Sequence, residues 1–345
     1  MVINMTYDEI IRINCNTNSS VSWWPRYAFH YTDVSNAIGI LKEGTIYSRF
    51  DANQKQLMRN DNASRQVIDM TYSGATSSVR FYYRPLTPTQ YHNEGYKHPM
   101  LRYCGDSNAN VPVPVFFLFN LKTLLSMEGT QFSEQSLAGG GGVLYQGEEA
   151  FSRLHFVQIY KNGYMENIEA EKKYRHAEIV FPGSFSIDSS IKGIVCRNDV
   201  ERATLLNLLR KESPKSFSKY KDLVVVCNEC FENNGLFITQ CNYYGTRAAI
   251  VFSKTAKKIQ YTLKYKNNPS DSLLINAEAE FEWMHSSHMI LRQGCRFEID
   301  YENSEHMTFT NLYRPNGATA LYMKIYLEKK LIFYMCWQLA DSALL

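Results

Sequence analysis

An α+β unit followed by an all-β unit is the fold class this sequence predicts, and three observations carry it. The chain has 345 residues, more than the roughly 100–200 typical of one domain. Helix caps and apolar strand runs alternate as far as about residue 213. Beyond residue 222 the texture is strands only, at fairly regular spacing, as in an antiparallel sandwich or barrel. The expected organisation is a first domain over 1–213, a linker over 214–221 and a second domain over 222–345.

The elements follow in chain order. Thr6-Tyr7-Asp8-Glu9 reads as a capping box that opens a helix running to about Ile13. Ser22–His30 reads as an approach strand. Thr32-Asp33 caps a helix whose apolar positions Val34, Ala37, Ile38 and Leu41 recur at helical spacing, with Gly44 as its stop. The segment 49–74 is polar and expected to be loop or partial helix. Val79–Arg84 and Val113–Phe119 read as buried strands, and Asn120 caps a helix that Gly129 ends. Four glycines over 139–142 form a flexible joint before a helix over 146–154; no GK[ST] follows them, so they are not a P-loop.

Further strands are expected at His176–Phe181 and Ile191–Cys196, and Asn198-Asp199 caps a helix Val200–Arg210. Pro214–Lys221 is polar, basic and opened by proline, which suits a linker. Eight strands then follow, at 237–240, 248–252, 258–264, 279–284, 295–301, 308–312, 320–327 and 331–337.

Composition removes several function classes. No run approaches the roughly 18 apolar residues of a membrane span, and Met1–Asn4 lacks the basic-then-apolar layout of a signal peptide. Eight cysteines scattered over a long chain suit reduced, cytoplasmic thiols rather than a disulfide framework. Net charge is +3, too small to imply a polyanion partner by itself. Its distribution says more: residues 201–270 hold 12 Lys/Arg against 5 Asp/Glu, and 271–345 hold 6 against 10. The basic stretch faces either a polyanion or simply water.

Familiar catalytic signatures, GxSxG, HExxH, GxGxxG and the kinase set, are missing. Cys227 and Cys230 form a lone CxxC with too few neighbours for zinc, so no metal is expected. Three segments stand out instead: His30-Tyr31-Thr32 before a helix, Phe81 to Thr89 after an arginine-bearing polar loop, and Arg175-His176-Ala177-Glu178-Ile179-Val180.

In that order and spacing they resemble the DarT family of NAD-dependent ADP-ribosyltransferases, toxins that modify nucleic-acid bases. The family's H-x-T and N-x-x-x-I-L-x-x-G helix are matched by His30 to Thr32, Asn36, Ile40-Leu41 and Gly44. Its FYF-x-P-x-[ST]-P turn is matched by Phe81 to Pro88, with Tyr83 and Leu86 as departures. Its R-x-A-E-[IL]-[LV] strand is matched by Arg175 to Val180. The resemblance covers about residues 25–200.

The resemblance implies an ADP-ribosyltransferase-like fold, a split and mostly antiparallel sheet around an NAD cleft. It implies Glu178 as the catalytic carboxylate and His30, Tyr31, Thr32, Asn36 and Gly44 on the NAD side. An arginine of the polar loop, Arg65 first and Arg59 second, would contact the diphosphate or steer the nucleophile. Tyr82, Tyr83 and Arg84 are the candidate substrate contacts; the competing reading packs one tyrosine in the core and leaves the other at the surface. Cleaving the glycosidic bond of NAD builds positive charge at the ribose, which a carboxylate in a dry site stabilises.

Three functions compete on this evidence. One is transfer of ADP-ribose to a base of single-stranded DNA, in a toxin–antitoxin or phage-defence role with a neutralising protein partner. The second is the same chemistry on RNA, and the third a non-enzymatic nucleic-acid- or protein-binding module.

Overall fold

The computed structural model describes residues 5–61, 73–103, 106, 108–138, 142–164, 166–254 and 272–339. The chain divides into two compact units. The first comprises 1–92, 115–195 and 230–232; the second comprises 93–114, 196–229 and 233–345.

The first unit opens with helix α1 (Tyr7–Thr17), held by the expected capping box of Thr6 and Glu9. Strand β1 spans Tyr27–Asp33, starting later than the sequence suggests because Trp24-Pro25-Arg26 forms a 3₁₀ turn. Asp33, not Thr32, caps helix α2 (Val34–Glu43), accepting from the Ser35 amide at 2.9 Å. Gly44 ends α2 in the left-handed region at φ +65, a conformation that favours glycine. Strand β2 (Thr45–Tyr47) and helix α3 (Arg49–Gln54) follow.

The part of the seven-stranded main sheet within this unit is built from β1 with β3 (Ser78–Tyr82), β4 (Pro114–Asn120), β5 (Gln131–Ser133), β6 (Glu178–Pro182) and β8 (Ile191–Cys196), in the order β5-β6-β3-β1-β4-β8. The β5–β6, β6–β3 and β3–β1 pairs are antiparallel. Strand β7 (Ser184–Ser186) pairs with β2. Residues 114–119 of β4 are buried without alternation, the pattern of a strand covered on both faces. In β3 burial alternates, with Val79 and Phe81 inside. Phe81, Phe119 and Phe185 pack edge to face, with centroids 5.1–5.5 Å apart.

In the second unit, the helix Asp199–Glu212 buries Val200, Thr204, Leu205 and Leu209. It packs against β16 (Lys330–Gln338), where Thr204 Oγ1 accepts from the Tyr334 amide at 3.1 Å. The expected linker differs from what forms: Pro214–Tyr220 is a helix with proline in its first turn and Ser213 as cap, packed on the preceding helix. Residues 196–229, this helix pair included, are grouped with the strands of the second unit.

The short strand β9 (Val224–Val226) follows, and two antiparallel sheets complete this unit. One has the order β10 (Ile238–Tyr243), β11 (Ala248–Phe252), β14 (His306–Phe309); the other runs β13 (His288–Asp300), β12 (Leu274–His285), β15 (Ala320–Leu327), β16. Strands β12 and β13 run longer than expected, joined by a tight turn at Ser286-Ser287. The expected strand at 258–264 lies outside the described residues. Phe309 packs on Phe281 and Phe297 at 5.4 and 5.5 Å. Gly95 and Gly235 let two distant segments touch: a Cβ on Gly95 would lie 2.0 Å from the Asn234 carbonyl oxygen. Arg197 is buried with Glu94 and Glu201, its guanidinium stacked 3.5 Å from the Phe237 ring centre.

Candidate active site

Cross-strand register decides which side chains meet. Tyr82 stands opposite Glu178 across β3 and β6, and Ser133 stands opposite Glu178 across β5 and β6. Strand side chains two positions apart share a face, so Arg80 joins Tyr82 on the Glu178 side, diagonal to the carboxylate. Glu178 itself is only 1% exposed. Arg80 Nε donates to one of its oxygens at 2.7 Å and Nη2 to the other at 2.5 Å. This is a bidentate, charge-assisted pair, which a buried carboxylate needs to remain ionised without great cost.

The same residue reaches the other predicted locus. Strands β1 and β3 pair at Phe29 and Tyr82. Beside that pairing the His30 ring bonds the neighbouring strand, its Nδ1 lying 3.0 Å from the Arg80 carbonyl oxygen. A carbonyl only accepts, so Nδ1 carries the proton and Nε2 is left as an acceptor. Burial pushes the His30 imidazole below its ordinary pKa, so the ring is neutral at pH 7. The ring sits against Phe81 and Phe117, with centroids 6.0 and 6.3 Å away. Arg80 thus bridges His30 through its main chain and Glu178 through its side chain.

Around this bridge, burial raises the Tyr82 phenol, the Glu178 charge adds to that, and Thr89 bonds its hydroxyl. His176, two residues before the carboxylate, is driven down to about 4, by burial first and then by the positive charges of Lys172 and Arg80.

The remaining expected site residues have other contacts. Asn36 fastens the polar loop to α2: its Oδ1 accepts from the Arg59 and Asn60 amides at 2.9 and 3.1 Å, and its Nδ2 donates to the Asn60 carbonyl at 2.6 Å. Arg59 is exposed, and Arg49 pairs with Asp61 further along the same loop. Arg65, the first choice for the site arginine, lies outside the described residues. Thr32 is buried, and Tyr31 packs its ring 5.0 Å from Phe116.

Tyr83 and Arg84 are enclosed by other parts of the first unit. Tyr83 is fully buried between Phe151 and Phe156. Arg84 is 1% exposed, with its guanidinium 4.9 Å from the Trp24 ring centre, donating to the carbonyls of Pro85, Ile159 and Lys161. Strand alternation carries Tyr83 to the face opposite Tyr82, and Arg84 serves the loop that follows Ile159.

Arg80 and Ser133 are the neighbours of Glu178 that the sequence reading missed. Alternation in Val79-Arg80-Phe81-Tyr82 places Arg80 beside Tyr82, but nothing local says which strand pairs with β3. Among the described residues no cluster of three or more His, Cys, Asp or Glu is arranged to hold a metal. Cys230 is buried and Cys227 half-buried. No helix among the described residues is long and apolar enough to cross a membrane.

Comparison with known proteins places the segment. The family model described as DarT, ssDNA thymidine ADP-ribosyltransferase, matches residues 29–224. No curated protein matches the sequence. Solved structures similar to the chain include Thermus sp. 2.9 DarT in complex with carba-NAD+, 14% identical, covering 60% of this chain and 98% of that one at a TM-score of 0.45. The same Thermus protein in complex with ADP-ribosylated ssDNA is also 14% identical, covering 60% and 96% at 0.46. Thermosipho africanus DarTG in complex with ADP-ribose is 15% identical, covering 60% and 51% at 0.46. The family match takes in more than half of the sequence, including β1, β3 and the Glu178 strand, and on it the chain belongs to the DarT family and is an NAD-dependent ADP-ribosyltransferase.

Proposed function

We propose that the protein transfers ADP-ribose from NAD to a thymidine base of single-stranded DNA, with Glu178 as the catalytic carboxylate. The observation that carries this reading is the buried Glu178 carboxylate, held by the two-point fork of Arg80 within the family-matched segment. Relatives solved with an NAD analogue and with ADP-ribosylated ssDNA support it.

Each residue has a chemical task in this reading. His30 presents a neutral Nε2, which accepts a hydrogen bond from a hydroxyl of the nicotinamide-side ribose. Glu178 lends negative charge where the ribose becomes cationic as its bond to nicotinamide breaks and the bonding pair leaves with nicotinamide. The thymine ring nitrogen then bonds to the ribose carbon, and Glu178 takes its proton. Low dielectric strengthens the carboxylate field at that point.

A base-modifying enzyme of this kind suits a toxin in a toxin–antitoxin or phage-defence system, acting in the cytoplasm and held in check by a neutralising protein. The second unit is the candidate guide for substrate or partner. In the basic stretch 201–270, Lys254 pairs with Glu305 at 2.9 Å, while Lys257, Lys258, Lys264 and Lys266 lie outside the described residues.

Labelled NAD with single-stranded DNA, duplex DNA and RNA oligonucleotides, each with and without thymine or uracil, tests the reading. Label on thymine-containing single strands alone, absent with Glu178→Gln, is the expected result. Label on RNA alone would move the substrate to the other polymer, and no transfer to any strand would overturn the enzymatic reading.

A further inference from the structure

Resting on that functional reading, we infer that Arg80 is the positioning residue of the reaction, holding the Glu178 carboxylate in one orientation through its two-point fork. The polar loop carries the arginines that motif comparison singles out, Arg59 and Arg65. The arginine in contact with the carboxylate comes from a different place, the strand next to it.

The geometry is specific. A carboxylate offers about four lone-pair sites, and the Arg80 fork takes one on each oxygen. Both oxygens are thereby fixed in a plane, and about two sites remain for a ribose hydroxyl or a base N–H. A lysine at this position would supply charge without the plane. The backbone of Arg80 is anchored separately: β6 pairs with it through Val180, and His30 donates to its carbonyl. The fork therefore hangs from a strand held on both sides, which is how a supporting group keeps a reacting group within a fraction of an ångström. The Arg80 side chain is 28% exposed while Glu178 is 1% exposed. A buried carboxylate with a partly open cation is the arrangement of a support, since the cation keeps its own access to water.

A competing role for Arg80 is direct contact with the NAD diphosphate, and kinetics separate the two. With Arg80→Ala, positioning predicts a fall in kcat of about 100-fold with KM for NAD within about threefold. Arg80→Lys should recover part of the loss. A rise in KM at unchanged kcat would overturn positioning in favour of a diphosphate contact, and kcat within threefold of wild type would overturn any role. Rates are normalised to folded protein by thermal melting; should Arg80→Ala fail to melt cooperatively, Arg80→Lys and Arg80→Gln carry the same comparison.

A double-mutant cycle adds a readout that mere stability would not move. If Arg80 acts through the carboxylate, removing it from Glu178→Gln should cost no further single-turnover activity. A full additional 100-fold loss in Arg80→Ala/Glu178→Gln would overturn the inference. Wild-type activity in Glu178→Gln alone would instead overturn the functional reading on which it rests.

Discussion

Nδ1 of His30 lies 3.0 Å from the carbonyl oxygen of Arg80, and that one hydrogen bond fixes which ring nitrogen is protonated. The other nitrogen is an acceptor only while the ring is neutral. Burial lowers the His30 pKa, so the acceptor is available throughout the neutral range. NAD affinity is accordingly expected to be flat from about pH 7 to 8. His30→Ala should raise the NAD dissociation constant about tenfold, the worth of one good hydrogen bond. Calorimetric titration across pH checks both; affinity falling steadily from pH 8 to about 7 would contradict the neutral-ring assignment.

Glu178→Gln keeps the shape and removes the charge. Transfer should drop by roughly 10²–10⁴-fold, the range general acid–base groups supply. Single-turnover assays with labelled NAD measure it, and loss of less than tenfold would place the catalytic carboxylate elsewhere.

Arg84 yields the opposite expectation. Its guanidinium holds three carbonyls and lies over Trp24, away from Glu178. Arg84→Ala should cost about 2–4 kcal/mol of stability, through unsatisfied buried acceptors and a cavity. The kcat of the folded fraction should stay unchanged. Denaturant titration beside kinetics decides it.

Those two arginines show what the sequence could and could not disclose. Period-two alternation in Val79–Arg84 assigns Arg80 and Tyr82 to one face and Tyr83 to the other, and the structure follows it. What lies opposite each face depends on a partner strand almost 100 residues away, which no local pattern encodes. The caps at Thr6, Asn120 and Asn198 and the stop at Gly44 were legible because their signals are short-range. The helix over 214–220 was not, since a proline and a basic run read as a linker until the serine cap and the packed neighbour are seen.

Acid stability follows from His176. Its pKa in the folded chain is about 4, against an ordinary value near 6.5. Between those values the unfolded chain binds more protons, so stability rises with pH in this window and falls on acidification. His176→Gln should flatten the fall between about pH 6.5 and 4. Thermal melting at half-unit steps checks it; an unchanged slope would mean the ring is protonated in the folded chain.

Asn36→Ala tests the loop. Losing two accepted bonds and one donated bond should release the backbone at Arg59 and Asn60, at a cost of about 1–3 kcal/mol. Amide exchange at Asn60 should quicken well beyond that at the centre of α2. Equal protection before and after substitution would mean that the loop is held by other contacts.

The interleaving of the two units along the chain sets an order of events during synthesis. Residues 93–114 leave the ribosome well before the segments 196–229 and 233–345 with which they pack. At about 5–20 residues per second, roughly 120 residues separate them from the second of those partners, a wait on the order of ten seconds. The first unit likewise awaits residues 230–232, so a nascent chain released before that point lacks part of the unit that carries Glu178. An ADP-ribosyltransferase divided in this way completes neither compact unit until more than 230 of its 345 residues have been made.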